Sequence, residues 1–341
     1  MSEQALCPVF GECGGCQYQN IPYGDELKIK QEEIRRAVSS AVAGGAAINP
    51  IVPSPQVYHY RHRLDLKLRR LKDGRVLVGF TPGTGRGVVE VDACPIAIRE
   101  VSDFIPRLKL EAQAALTPKY RLANLVVKTG ADGRVRWGGI GRKSCRLQAG
   151  DYLWAEVCGR RVHYSLDTFF QANLSILPVL FAHIRALPLW DNRPDFFDLY
   201  GGVGLFSFAL ADLAGRAWLI EDCKPAVELA RYNAEYNRME NITIVEGRVE
   251  DRLPGMTAGS GPAVGMIDPP RAGLSAGARA LLAASRAFDY LLYLSCNPGA
   301  LAVDLKDFAA RGWQIMEVTP FDFFPRTKHV ETLVVLKAKK G

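Results

Sequence analysis

Residues 194–206 read "PDFFDLYGGVGLF". An apolar run beginning after Pro194 meets glycines at 201, 202 and 204, and a helical candidate over 205–214 follows. A short buried strand, a glycine turn and a helix are how an open α/β sheet begins. The glycines let the main chain turn tightly at the strand end, so a ligand can approach the backbone closely. A dinucleotide fingerprint would need its third glycine at 207, where the chain has Ser207, so NAD is disfavoured.

Strand and helix candidates alternate from there to the C-terminus. "RAWLIED" (216–222), "ITIVEG" (242–247), "AVGMIDPP" (263–270), "DYLLYLSC" (289–296) and "ETLVVLKA" (331–338) predict strands. Residues 225–237, 275–286 and 299–310 predict helices between them, which together is a doubly wound parallel sheet. The second strand ends on Glu221, about twenty residues after the glycines, where an acidic side chain can hold two ribose hydroxyls. A glycine loop and an acidic strand end, without the pyrophosphate fingerprint, suit S-adenosylmethionine as cofactor.

The chain has 341 residues, enough for two or three domains, and is 48% hydrophobic and 23% charged. No apolar run approaches a membrane span, and "MSEQALCPVF" lacks a signal-peptide core, so a cytoplasmic monomer away from membranes is expected. Eight cysteines in that compartment do not read as a disulfide framework. The 43 basic and 36 acidic residues leave a net charge of +7. The excess is concentrated: "YRHRLDLKLRRLKDGR" (60–75) holds seven Lys/Arg around Leu64, Leu66, Leu68 and Leu71, and "RVRWGGIGRKSCR" (134–146) holds five and no acid. Each alone could be a solvated strand face; two in one region point to a surface for a phosphate backbone.

Residues 25–43 place Leu27, Ile34, Val38 and Ala41 on one helical face, and 50–165 carry short alternating runs that read as antiparallel β structure. Two strand ends further on carry chemistry. "DPPRAGL" (268–274) is a rigid, polar end that can aim the Asp268 carboxylate at a substrate. "LSCNP" (294–298) puts Cys296 where the strand breaks; it is either small core packing or a nucleophile at a site mouth.

"FDLYGGVGLFSFALA", "DPPRAGL", "YLSCNP" and "TKHVETLVVL", in that order and spacing, resemble the RNA uracil-5-methyltransferase family, and "CPVFGECGGCQYQ" (7–19) resembles its iron–sulfur branch, which modifies 23S ribosomal RNA. The likeness covers nearly the whole chain from Cys7 onward. It implies a Rossmann-like class I methyltransferase sheet over 171–341, a central β-rich RNA-recognition domain over 50–170 and a cluster segment with a helix over 1–49. The N-terminal TRAM barrel of many relatives is expected to be missing, since the cysteine motif begins at residue 7. Leu205 and Arg248 depart from the polar and the acidic or amide residues that relatives often carry there.

By that resemblance Cys296 is the nucleophile that adds to carbon 6 of uracil, Glu331 the base that removes the carbon-5 proton, and Asp268 the residue that orients the base. Gln171, Tyr200, Gly202, Glu221 and Asp268 would contact S-adenosylmethionine. Cys7, Cys13 and Cys16 follow a C-x5-C-x2-C pattern, and Cys94 stands at the family's fourth ligand position. Four such thiolates need a metal, zinc or iron–sulfur; three clustered and one remote resemble ferredoxin-like ligation of a 4Fe-4S cluster. Cys145, Cys158 and Cys223 read as unliganded. The alternatives are a tRNA uridine-5-methyltransferase or a different RNA or amino-group methyltransferase, the last having no use for Cys296.

Overall fold

The glycine turn at 201–204 lies at the carboxyl end of a central strand, as its composition demands. The computed structural model describes residues 3–42, 45–115, 121–139, 147–256, 259 and 261–339. Helix α1 (Tyr23–Val38) is followed by the two-residue strand β1 (Ala47–Ile48) and by β2 (Arg63–Arg70), β3 (Val76–Phe80) and β4 (Val89–Glu90). Helix α2 (Arg99–Ala115) precedes β5 (Leu122–Thr129) and β6 (Val135–Gly139). β2 to β6 form one antiparallel sheet in the order β4-β3-β2-β5-β6. Leu64, Leu66 and Leu68 point to one face with Val76, Val78, Leu125 and Val127, and Ile105 and Leu108 of α2 complete that core. This helix lies inside a region that the sequence predicts as β structure. Its buried residues Val101, Ile105, Leu108 and Ala112 do follow helical spacing, but Pro106 sits inside it.

A hairpin, β7 (Leu153–Val157) and β8 (Arg160–Tyr164), and helix α3 (Leu177–Ala186) lead into the second sheet. Its elements alternate: β9 (Asp195–Leu199), α4 (Leu205–Leu210), β10 (Ala217–Glu221), α5 (Lys224–Tyr236), β11 (Ile242–Glu246), α6 (Val249–Arg252), β12 (Ala263–Ile267), α7 (Ala276–Ala284), β13 (Tyr290–Ser295) and α8 (Pro298–Ala310). A closing hairpin, β14 (Trp313–Phe321) and β15 (Glu331–Ala338), completes it, in the order β1-β14-β15-β13-β12-β9-β10-β11. β9 to β13 pair in parallel, whereas β15 runs antiparallel to both neighbours, because β14 precedes it with no crossover helix between them. The sheet is therefore mixed at that end. Neighbouring residues serve opposite faces: Phe196, Met266, Leu292 and Val335 join one core, Phe197, Ile267, Leu291 and Leu336 the other. Both faces are covered, as a doubly wound sheet requires. The chain winds from β9 toward β11 on one side and from β12 toward β13 on the other. The switch point between β9 and β12 therefore opens a crevice at the carboxyl ends of the strands.

Helix α1 belongs to this second body in space. Ile34 and Val38 are buried in the core beneath α8, but the same stripe continues through Lys30 and Glu26, both fully buried. The predicted apolar face thus carries an ion pair at its N-terminal half, while Leu27 is half-buried. Lys30 Nζ donates to Glu26 (2.7 Å), to Asp322 (2.7 Å) and to the Phe324 carbonyl (3.1 Å), and Tyr23 donates to Asp322 (2.8 Å). Buried charges persist only when so matched. The match fastens α1 to the loop between β14 and β15.

Candidate active site and cysteine cavity

The turn after β9 is shaped by packing as much as by torsion. A side chain on Gly201 would strike Leu219 at 2.5 Å, and one on Gly204 (φ +98°) would strike the Phe208 ring at 2.2 Å. Gly202 (φ +55°) instead faces open space, and its N–H donates to Glu221 Oε2 (2.9 Å). The other Glu221 oxygen accepts from the Cys223 N–H (2.8 Å). Burial raises the Glu221 carboxyl above the ordinary range. A cleft of about 450 Å³ opens beside it, lined by Tyr200, Glu221, Arg248, Glu250, Pro270 and the chain from Ala272 to Ser275. Tyr200 is held at φ +70°, a strained torsion for a residue with a Cβ.

Beneath the turn lies Asp198, whose importance the sequence did not announce. It is fully buried and accepts from both the N–H (2.8 Å) and the hydroxyl (2.7 Å) of Ser207, tying β9 to the start of α4. Its second oxygen has no partner among the described residues, and burial pushes its carboxyl up to about 6. Asp198 is an acid set between the buried Phe197 and Leu199 in "FFDL", and that oddity was the available signal.

Asp268, Cys296 and Glu331 stand at the ends of β12, β13 and β15. Ser295 pairs with Thr332 in the antiparallel register, so one step further along, the Cys296 and Glu331 positions face each other. The Asn-Pro step that ends β13 is a helix start: Asn297 caps α8 by accepting from Gly299 and Ala300, with Pro298 in the first turn. Its side-chain amide also donates to the Arg271 carbonyl (2.9 Å), which binds the Asp-Pro-Pro-Arg loop to the cysteine turn.

The electrostatics tie the three groups together. Burial, then Glu331 and Asp268, push the half-buried Cys296 thiol up to about 11, and the Arg271 guanidinium opposes them. Burial and Asp268 raise the buried Glu331 carboxyl well above the ordinary range, again against Arg271. Asp268 is pushed up to about 7 by burial and by Asp198. His329, neutralised by burial and by Arg271, stands two residues before Glu331 with its ring against Phe324. Arg271 and His329 are thus part of this neighbourhood, though "DPPRAGL" and "TKHVETL" gave neither a role. Gln171 is buried in the segment leading to α3; two residues on, Asn173 donates to the Phe323 carbonyl (3.0 Å), at the base of the β14–β15 loop.

Cys7, Cys13, Cys16 and Cys94 line one cavity of about 130 Å³, with Gln19, Arg61 and apolar residues including Phe10, Leu64 and Phe80. No group of three potential ligands among the described residues is drawn together tightly enough for a single metal ion. The cysteine loop is pinned on one side by Gly14 N–H to the Thr81 carbonyl (3.0 Å). On the other side Gln17 and Tyr18 N–H groups both donate to the Arg326 carbonyl, and Lys328 N–H donates to the Gln17 side chain. Arg326, buried and at φ +68°, returns its guanidinium to the carbonyls of Tyr18 and Ile21. The loop that carries the candidate ligands therefore also grips the chain that runs into Glu331. Cys158 and Cys223 are exposed and free, and Cys145 lies outside the described residues.

The fold is shared with the Pyrococcus abyssi tRNA (uracil-54, C5)-methyltransferase solved with S-adenosyl-L-homocysteine: the match covers 94% of this chain and 85% of that one, at a TM-score of 0.73 and 22% identity. Sheet order and this likeness give the chain a Rossmann-like class I methyltransferase fold. Residues 147–258 and 262–339, more than half of the chain, match the tRNA (Uracil-5-)-methyltransferase family. The uncharacterized RNA methyltransferase of Clostridium tetani is 29% identical, over 98% of this chain and 84% of its own length. The tRNA (uracil(54)-C(5))-methyltransferase of Schizosaccharomyces pombe is 28% identical, over 97% of this chain and 65% of its own. The chain belongs to this family and is an RNA methyltransferase. Among the described residues no helix is long and apolar enough to cross a membrane.

Proposed function

We propose that the protein methylates carbon 5 of a uridine in RNA through a transient bond between Cys296 and carbon 6 of the base. The observation that carries this reading is the meeting of a thiol, a proton-hungry carboxylate and a second carboxyl at adjoining strand ends. Carbon 5 of uracil is too weak a nucleophile to take a methyl group from a sulfonium unaided. Once the Cys296 thiol has given up its proton to solvent, addition of the thiolate to carbon 6 sends the ring's double-bond electrons onto the 4-oxygen, and the resulting enolate makes carbon 5 reactive. S-adenosylmethionine, when bound, supplies the activated methyl group. Glu331 then removes the proton from carbon 5, the 5,6 double bond re-forms, and the thiolate leaves. Burial suits Glu331 to that step, because a raised proton affinity makes it a stronger base than an exposed carboxylate. Asp268, near half-protonation at neutral pH, can hydrogen-bond the polar edge of the base as donor or acceptor.

The cleft beside Gly202 fits S-adenosylmethionine: the missing side chain leaves room, Glu221 lies where ribose hydroxyls can be held, and Tyr200 walls the entrance. Gln171 would reach both cofactor and base. Cys7, Cys13, Cys16 and Cys94 would hold a 4Fe-4S cluster. Four cysteines lining one cavity, three from a single loop and one from the central domain, support this reading, as does the ferredoxin-like spacing of the three. Anaerobically purified protein should then be brown, with about four irons per chain. One stoichiometric zinc in colourless protein would remove the cluster from the account.

The cysteine motif favours 23S ribosomal RNA as substrate. A tRNA target is the second reading, favoured by the likeness over 97% of the chain to an enzyme named for uracil 54 of tRNA. Mapping 5-methyluridine in both RNAs from a strain lacking the gene separates the two. The chemistry is tested by Glu331→Gln: it should add the thiolate, transfer the methyl and stall, leaving protein joined to RNA through denaturing electrophoresis. Cys296→Ala should form no such band and transfer nothing. Near-normal turnover in Cys296→Ala would end this reading.

A further inference from the structure

Two groups of cations on the central sheet contrast. Arg63 pairs with Asp65, Arg75 with Asp73, Arg134 with Asp132 and Arg136 with Asp151, each within 3.0 Å. Lys67, Arg69, Lys72, Arg86 and Arg121 have no carboxylate partner among the described residues, and all five line a single groove of about 880 Å³ with no acidic residue among its described lining. Three separate segments build it. Lys67 and Arg69 project from the face of β2 opposite Leu64, Leu66 and Leu68. Arg121 lies just before β5, and its carbonyl accepts from the Arg70 N–H (2.8 Å), which sets it beside the end of β2. Arg86 comes from the turn between β3 and β4, between Gly85 and Gly87, both at positive φ; the Arg69 guanidinium reaches to within 3.9 Å of where a Gly87 side chain would begin. Leu122, 68% exposed, supplies apolar ground between them.

We propose that this groove is a docking channel for the sugar–phosphate backbone of the RNA substrate, gripping a stretch of chain other than the nucleotide at Cys296. The inference rests on the reading of the protein as an RNA uridine methyltransferase. Lys67 and Arg69 leave the same face of β2 from positions ~7 Å apart along the backbone, and Arg86 and Arg121 enter the same groove from neighbouring segments. A free phosphate would engage one or two of them, whereas a row of phosphates engages the whole set. The absence of carboxylates in the groove removes the repulsion that would otherwise offset each contact. The groove also decides which part of the basic sequence matters. Only the Lys67–Lys72 portion of the first stretch reaches it, joined by Arg86 and Arg121 from outside; Arg134 and Arg136 of the second are neutralised, and residues 140–146 lie outside the described residues.

The test compares two triple variants with equal loss of charge: Arg69→Ala/Arg86→Ala/Arg121→Ala in the groove, and Arg75→Ala/Arg134→Ala/Arg136→Ala among the paired cations. Binding of labelled, unmodified tRNA and of a labelled 23S rRNA fragment is measured across a salt series, with S-adenosylmethionine affinity as the check on folding. The groove variant should bind RNA at least tenfold more weakly in low salt, and the slope of log K against log salt should flatten by about 2 to 3. Cofactor affinity should not move, and the paired-cation variant should keep the wild-type slope. Equal slopes in the two variants, or an unchanged slope in the groove variant, would overturn the groove while leaving the Cys296 chemistry standing. Wild-type protein that binds neither RNA would overturn both.

Discussion

The ionisation of Cys296 offers the most direct measurement of the site's geometry. With the thiol at about 11 rather than 9.0, only about one molecule in 3,000 carries a thiolate at pH 7.5, against about one in 30 for an unperturbed cysteine. Alkylation by iodoacetamide follows the thiolate, and a thiolate of higher pKa is the stronger nucleophile, so Cys296 should react about 10- to 100-fold more slowly than a small thiol at that pH. Its rate should rise about tenfold per pH unit and level off only near pH 11. Peptide mapping by mass spectrometry isolates this cysteine from the other seven. Glu331→Gln then reports the pair. Wherever the Glu331 carboxyl is ionised, the wild type carries a negative charge facing the sulfur, and the variant should react several-fold faster. Arg271→Met should act in the opposite sense, since it removes the cation that favours the thiolate. Cys296 alkylated at the rate of a free thiol at pH 7.5, or identical profiles for wild type and Glu331→Gln up to pH 11, would refute the facing arrangement.

Asn297→Ala should cost about 1 kcal/mol for the lost helix cap and about 1 kcal/mol for the bond to the Arg271 carbonyl, read from denaturant midpoints at constant slope. Asn297→Asp should keep the cap and recover about half of it. Gly204→Ala should destabilise by about 2–4 kcal/mol, combining a left-handed torsion with a collision against Phe208, whereas Gly202→Ala meets no clash and should cost about 1 kcal/mol. The raised carboxyl of Asp198 stabilises the fold fully below its unfolded pKa near 4, and that contribution is lost as pH climbs through about 6. About 3 kcal/mol of stability should therefore disappear between about pH 4 and 6, and Asp198→Asn should flatten this part of the profile.

The doubly wound sheet was legible because its signals are local. The strands β9 to β13 are short apolar runs bounded by turn residues, and α4, α5, α7 and α8 between and after them are amphipathic or apolar segments; the four-residue α6 (Val249–Arg252) carried no such signal. The strand ends that carry Asp268 and Cys296 were legible for the same reason: a polar or reactive residue closing an apolar run has few structural explanations. Glu331 opens its strand, and only the family resemblance singled it out. Pro106 hid α2, because a proline reads as a break although the buried stripe passes through it. β14 went unread because its alternation includes Glu317 and Pro320 and it gains its meaning only from pairing with β15.

What the sequence could not supply is every relation between distant residues. Glu26 and Lys30 look like an exposed helical pair until Asp322, some 290 residues away, closes on them and makes burial of all three tolerable. Arg63 and Arg69 look alike in one basic run; a neighbouring carboxylate neutralises the first, and the approach of Arg86 and Arg121 draws the second into a groove. The sequence by itself determined which residues end strands, because apolar periodicity and turn chemistry act over a few residues. Tertiary structure alone decided which of those ends face one another and which charges stay unpaired, because Coulomb and desolvation energies depend on distances that the order of residues does not contain.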